Sequence, residues 1–370
     1  MKKIFSTLFL LLSVISCKAE NNGDTTKLFT EEEVFFFNGS NMLSGTLTIP
    51  AGKPGCPAVL LVTGSGLQNR DEDIFGFKLF KIIAEELSGN GIAVLRYDDR
   101  GFGKSKGDVK TATTRDFAMD AAAGIKYLRT RDEINKNKVG ILGHSEGGII
   151  AAMLAAEPAG APDFCIMMAG PAVPGDTIIN FQIISMNKAQ GVDEKEIPWI
   201  IDFQNKVYDY IRNYDLASDS TALAALESEL LEFNLKAIDL LPDSIKKNVT
   251  DRQKFAKFRV MQSIGQLTNP WFKYFITYNP AEALRKVNVP ILALFGGKDM
   301  QVPPDMNVPA LKEAIGISGN KDAEIKIFPD ANHLFQKANT GQATEYPTLK
   351  KEFCEGFLDY ISQWIIDRAK

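Results

Sequence analysis

The stretch VGILGHSEGGIIAAMLAA, Val139 to Ala156, decides how this chain is read. Its first part is a short apolar run of strand type and its last part an apolar run of helical type. Between them Gly143, His144, Ser145, Glu146 and Gly147 meet the pattern G-x-S-x-G. A strand that bends at once into a helix forces the middle residue into a strained backbone conformation. Neighbouring chain then comes so close that the flanking positions must be small. The bend exposes the Ser145 hydroxyl at a helix N-terminus, where free N–H groups and the dipole favour a developing anion. A serine hydroxyl alone is a poor nucleophile. Reading Ser145 as one, rather than as part of a Gly-rich turn, requires a base, a carboxylate to orient it and an anion hole.

On either side, strand and helix patterns alternate. EVFFFNGSNMLSGTLTIP holds two strand-like runs around Asn38-Gly39, a hairpin signal. CPAVLLVTGSG and IAVLRYDDRGFGKSKG begin as buried strands and end in Gly-rich loops. FGFKLFKIIAEELSGNG has helical spacing with a Gly-Asn-Gly stop, and Thr114 to Arg131 reads as a helix capped by Thr113 or Thr114. DFCIMMAGP is one more strand. From 171 to 281 the rhythm changes to long helical patterns, including PWIIDFQNKVYDYIRNY and STALAALESELLEFNLKAI. Strands resume at VNVPILALFGGKDMQVPP and AEIKIFPDANHLF, and an amphipathic helix from Tyr346 to about Arg368 closes the chain. The alternation predicts a mostly parallel α/β sheet flanked by helices, built from 31–170 and 282–370. The block 171–281, placed after the sixth main strand, is expected to cap the ligand crevice at the carboxyl edge of the sheet.

The chain has two histidines. His144 is adjacent to Ser145, and side chains of neighbours at a sharp bend diverge. The base is therefore His333, in PDANHLF directly after a strand. Asp299, in GGKDMQVPP, is the expected orienting carboxylate, with Asp330 as rival only three residues before the histidine. Half of the anion hole is expected from the backbone N–H of Glu146, whose side chain reads as a favourable anion in a first helical turn. The other half is expected from the loop TGSGLQNRDE. Ser65 is the chosen donor there, with Gly66 or Leu67 one place away.

With VTGSG, YDDRGFGKS, GHSEGG, GGKDMQVP and ANHLF in place, the chain from about Glu32 to Ala369 resembles the α/β-hydrolase fold serine esterases. It is similar to their capped bacterial carboxylesterase and dienelactone-hydrolase-like branch. The resemblance implies a serine hydrolase that cleaves a small-molecule carboxylic ester through an acyl-enzyme, with catalytic Ser145, Asp299 and His333. No metal or organic cofactor is implied. The family usually has His-Gly where this chain has Thr63-Gly64. A peptidase or amidase, or a thioesterase or acyltransferase, would use the same residues. A non-catalytic surface-binding lipoprotein is the reading from another class.

The 370 residues are 45% hydrophobic, ample for a sizeable core, and a net charge of −4 without a basic run makes nucleic acid an unsuitable partner. Lys2, Lys3, the apolar run Ile4–Ser16 and VISC ending at Cys17 resemble a bacterial lipoprotein signal over residues 1–17. Residues 18–30 would be a tether, and Cys17 the lipidated membrane anchor of an exported, periplasmic or cell-surface protein; an ordinary secretory signal is the alternative. Cys165 reads as core, and a Cys56–Cys354 disulfide stays open. Gly103-Lys104-Ser105 lacks the upstream glycine of a phosphate loop, because Asp98 stands there. Trp199, Phe203, Tyr208, Tyr210 and Trp271 are expected mainly to pack cap helices, and Arg70, Asp71, Glu72 and Asp73 to form a solvated loop cluster. The oligomeric state is not readable.

Overall fold

The structure is a computed structural model describing residues 28–241 and 243–369. The expected leader and Cys17 lie outside the described residues. Eight strands form one sheet: β1 (Phe29–Asn38), β2 (Asn41–Pro50), β3 (Cys56–Val62), β4 (Ala93–Tyr97), β5 (Ile134–His144), β6 (Cys165–Met168), β7 (Ile291–Gly296) and β8 (Ala323–Phe328). Their spatial order is β1-β2-β4-β3-β5-β6-β7-β8. β1 and β2 are antiparallel, and β2 is antiparallel to β4. Every pair from β4 onward is parallel. This is the α/β-hydrolase arrangement of a mostly parallel sheet covered by helices.

The edge hairpin turns at Gly39-Ser40, where Gly39 takes φ +58°. On β1 only Val34 and Phe36 are buried, so this strand alternates, whereas β4, β6 and β7 are buried at every position. The difference follows from helices covering both faces of the inner strands. One face, with Leu60, Leu95, Ile141, Met167 and Ala293, packs against α2 (Thr114–Leu128), α3 (Glu146–Ala155) and α11 (Pro304–Ser318). The other, with Leu61, Val94, Leu142, Met168 and Leu294, packs against α1 (Leu79–Gly89) and α12 (Phe357–Ala369).

Between β6 and β7 the chain forms α4 (Gly175–Ala189), α5 (Ile197–Asn213), α6 (Ser220–Ala237), the short α7 (Asp243–Lys246), α8 (Arg252–Leu267), α9 (Pro270–Thr277) and the short α10 (Ala281–Leu284). Tyr208, Ile211, Leu226, Leu230 and Phe272 give this insert a core of its own.

Some boundaries differ from the sequence expectation. α1 starts at Leu79 rather than Phe75, because Asp73–Ile74 and Phe77–Lys78 pair as a miniature hairpin across Phe75 (φ +52°) and Gly76 (φ +82°). α2 stops at Leu128, three residues before Arg131; its N-cap Thr113 forms a capping box with Asp116. The last helix begins at Phe357, not Tyr346. Pro347 sits in a 3-10 turn and Gly356 takes φ +75°, so the helix cannot extend back through them. Cys56, Cys165 and Cys354 are all free, so the open Cys56–Cys354 disulfide does not form, and Cys165 is core.

Candidate active site

Ser145 stands between the end of β5 and the start of α3 with φ 54° and ψ −118°. A positive φ is strained for a residue with a side chain, and the surroundings enforce it here. The Ser145 N–H donates to the Met168 carbonyl at 2.9 Å and its carbonyl accepts from the Gly148 N–H at 2.9 Å. A Cβ on Gly143 would lie 1.8 Å from the Gly147 carbonyl oxygen, and one on Gly147 would lie 2.2 Å from that of Val62. The two flanking glycines are thus required by contact. The half-buried serine opens into a cleft of about 510 Å³.

The loop after β8 brings His333 to the same cleft. Its Nδ1 is 2.8 Å from Asp299 Oδ2. The other Asp299 oxygen accepts from the backbone N–H groups of Gln301 and Val302 at 2.7 and 2.8 Å, so the carboxylate cannot swing. Asn332 Oδ1 in turn accepts from Leu334 N and Gln336 N at 2.9 and 3.0 Å and shapes the histidine loop. Asp330, the sequence rival, lies in the turn below, largely exposed and paired with Lys298 at 3.3 Å.

In the loop after β3 the Gly64 N–H donates to Glu72 Oε1 at 2.9 Å and is thereby committed within the protein. A Cβ at Gly64 would approach the Ser145 Cβ to 3.1 Å, tighter than ordinary contact, so a side chain there would press on the serine. Ser65 and Glu146 line the cleft beside the serine. The Glu146 N–H, at the first position of α3, has no carbonyl of its own helix to reach. Thr63, where the family usually has histidine, donates its hydroxyl to Asp99 Oδ1 at 2.7 Å, and the Gln68 N–H donates to Asp99 Oδ2 at 2.7 Å. Burial raises the Asp99 pKa to about 8; the Thr63 and Gln68 bonds oppose this, and the nearby Glu72 and Glu146 charges add to it.

One reading of the sequence is corrected and two are extended. Glu146 stands in the first turn of α3 as expected, but its side chain is buried, at 3% exposure. Its Oε1 accepts from the Thr114 hydroxyl at 2.7 Å and from the Trp271 indole at 2.8 Å. Burial raises its pKa, against hydrogen bonds from Thr114, Trp271 and the Ser65 hydroxyl. Secondly, the residues from Arg70 to Asp73 are not a solvated cluster. Arg70 grips Asp98 at 2.6 and 3.1 Å, Asp71 pairs with Arg96 at 3.0 Å, and Glu72 is fully buried. Its partners are Ser44 and Thr46 of β2, Arg96 of β4, Asp98 just past β4, Gly64 after β3 and His144 at the end of β5. Thirdly, His144 is more than a neighbour that turns aside. Its Nδ1 is 2.8 Å from Glu72 Oε1 and its Nε2 3.1 Å from the His333 carbonyl oxygen. No pattern of sequence spacing joins positions 72, 144 and 333; the one available signal was a histidine in a strand end otherwise free of polar residues.

Ser105 Oγ donates to the Asp98 carbonyl at 2.7 Å and accepts from Ser44 N at 2.9 Å, and Lys104 pairs with Glu33. The Gly103-Lys104-Ser105 loop therefore ties β2 to β4. Trp199 and Phe203 stack on Phe233, Tyr208 is buried in the insert and Tyr210 donates to Glu229; Trp271 alone of the five lines the cleft. Among the described residues no group of three or more His, Cys, Asp or Glu side chains is placed to hold a metal ion.

Comparison with known proteins agrees with this fold. Over 338 residues the chain is 28% identical to esterase EstD of Thermotoga maritima, covering 91% of this chain and 68% of that one. An esterase structure from Pyrococcus furiosus superposes with a TM-score of 0.53 at 14% identity, covering 92% of each chain. Acetyl xylan esterase 1 from a Thermoanaerobacterium species gives a TM-score of 0.50 at 16% identity, covering 93% of this chain and 84% of that one. The model of the family described as Serine aminopeptidase, S33 matches residues 77–337, from the loop before α1 to just past His333. That match spans well over half of the chain and takes in the bend at Ser145, Asp299 and the histidine loop, so this α/β hydrolase belongs to the Serine aminopeptidase, S33 family.

Proposed function

We propose that this protein is a serine carboxylesterase acting on small, uncharged esters. The observation that carries the reading is the Asp299–His333 pair at 2.8 Å, in the cleft that the strained Ser145 also lines. Asp299 accepts the Nδ1–H of His333 and thereby leaves Nε2 as the nitrogen that takes a proton. The Ser145 oxygen attacks the ester carbonyl as its proton passes to Nε2. The imidazolium then protonates the leaving alcohol, and Asp299 stabilises its charge. The backbone N–H groups of Glu146 and Ser65 receive the oxyanion. Water activated by His333 releases the acid and restores the serine.

The lining of the cleft indicates the substrate. Among the described residues that line it there is no lysine or arginine to offset a carboxylate on the substrate. Ile178, Ile179, Trp271, Phe272 and Phe275 of the insert, acting as a cap, supply an apolar wall, and Gln68, Gln182, Gln266 and Gln301 supply neutral hydrogen-bonding groups. The family description favours aminopeptidase activity as a second reading. An aminopeptidase must hold a substrate ammonium, and the carboxylates of the cleft, Glu72 and Glu146, are buried, their Oε1 atoms committed to Gly64 and His144 and to Thr114 and Trp271. The test is a panel of acyl-nitrophenyl esters against aminoacyl anilides, with fluorophosphonate labelling of wild type and Ser145→Ala. Labelling that persists in Ser145→Ala, or anilides cleaved faster than esters, would overturn the proposal. Export with a lipid anchor at Cys17 belongs to the same proposal. Palmitate incorporation in cells that is lost in Cys17→Ala tests it.

A further inference from the structure

Glu72 is fully buried, takes φ +46° and stands at the one place where three parts of the site meet. Its Oε1 accepts both the Gly64 N–H of the oxyanion loop, at 2.9 Å, and His144 Nδ1, at 2.8 Å. The far nitrogen of the same imidazole reaches the His333 carbonyl oxygen at 3.1 Å, and the two histidine rings lie 4.8 Å apart. Each nitrogen of His144 therefore faces an acceptor, so the ring donates twice. We propose that the Glu72–His144 pair is a positioning element: a buried strut that fixes the anion-binding loop and the base loop relative to one another on either side of Ser145.

The chemistry requires such a device. Gly64–Ser65 and His333 come from loops about 270 residues apart in the chain, and neither bonds the other directly in this network. The donor and the base must nevertheless be placed within a fraction of an ångström of the same reacting carbonyl. A residue with positive φ held by its surroundings is the kind of local cost that persists where position matters to the site. Glu72 and His144 act through Gly64 and His333; neither is assigned a proton transfer. The inference rests on the esterase reading above, because it assigns the strut's value to that reaction.

Position and charge can be separated. In Glu72→Gln the amide oxygen, in the place of Oε1, still accepts from the Gly64 N–H and from His144 Nδ1–H, and the NH₂ takes the place of Oε2, which has no partner among the described residues. Both bonds of this side chain survive while the charge is lost. Glu72→Gln is expected to keep kcat within roughly three-fold of wild type, whereas Glu72→Ala and His144→Leu lose about 30-fold or more, mostly in kcat, with KM little changed. The rate of fluorophosphonate labelling of Ser145 should fall in parallel with kcat. His144→Leu matching wild type in kcat and labelling rate would overturn the proposal, and so would Glu72→Gln losing as much as Glu72→Ala. Should His144→Leu fail to fold, the two Glu72 variants still decide it. If wild-type Ser145 itself is not labelled, the underlying hydrolase reading fails instead.

Discussion

Ser145 occupies a backbone conformation that only its neighbours make tenable, and those neighbours are glycines because a carbonyl oxygen fills the space where their Cβ would be. Gly147→Ala would set a methyl 2.2 Å from the Val62 oxygen, which belongs to the rigid end of β3. The backbone must move, so a stability loss of about 1–3 kcal/mol is expected from denaturant unfolding, with activity falling further because the bend itself shifts. The two aspartates that sequence offered for His333 make a sharper pair. Asp299→Asn removes the acceptor that sets the tautomer, and ester hydrolysis should drop by about three orders of magnitude or more while the melting temperature changes little. Asp330→Asn alters an exposed ion pair with Lys298 and should leave kcat/KM within about two-fold. A large loss in Asp330→Asn would mean the carboxylate had been assigned to the wrong loop.

α9 is the element that joins the insert to the core at the serine. Its Trp271 donates to Glu146 Oε1, the atom that also accepts from Thr114 of α2, so one buried oxygen ties three helices together beside Ser145. Trp271→Phe keeps the aromatic wall and removes only the indole donor. KM for bulky esters is expected to rise about three- to ten-fold, with acetyl esters affected less, in initial-rate measurements across acyl lengths. Much at this level was legible beforehand: G-x-S-x-G between an apolar strand and an apolar helix locates the bend, and strand-to-loop boundaries locate Asp299 and His333, because both periodicity and turn chemistry are local. What sequence did not disclose is tertiary. Glu72, Glu146 and Asp99 read as ordinary charged loop and helix-start residues. Their environments are decided by partners in other elements — His144, Trp271 with Thr114, and Thr63 with Gln68 — that no local pattern names. The start of the last helix was misjudged for a related reason: amphipathic spacing ran on through Pro347 and Gly356, where backbone geometry stops it.

For the molecule as a whole, the same buried groups set how stability responds to pH. Asp99 holds its proton more tightly folded than unfolded, with a pKa of about 8 against 3.8, chiefly because burial penalises its charge. Its contribution therefore declines as pH rises from about 4 to about 8 and is exhausted above that. His144 has the opposite charge type but the same sign of linkage. Burial would lower its pKa, yet the Glu72 charge and hydrogen bond raise it above the ordinary 6.5, so its contribution is present below pH 6.5 and fades as pH climbs through the folded value. Carboxylates held below their usual range by exposed partners, such as Glu33 and Asp108, titrate below about pH 4.5 and do not act in this window. Both buried groups thus push one way between about pH 6.5 and 8, and thermal melting should show a midpoint that falls steadily over that range. Asp99→Asn, which keeps the shape of the neutral carboxyl under the Thr63–Gln68 loop, should flatten the slope and melt higher than wild type at pH 9. A wild-type midpoint that is level or rising from pH 6.5 to 8, or an Asp99→Asn slope identical to it, would show that the Asp99 carboxyl is already ionised beneath the loop at neutral pH.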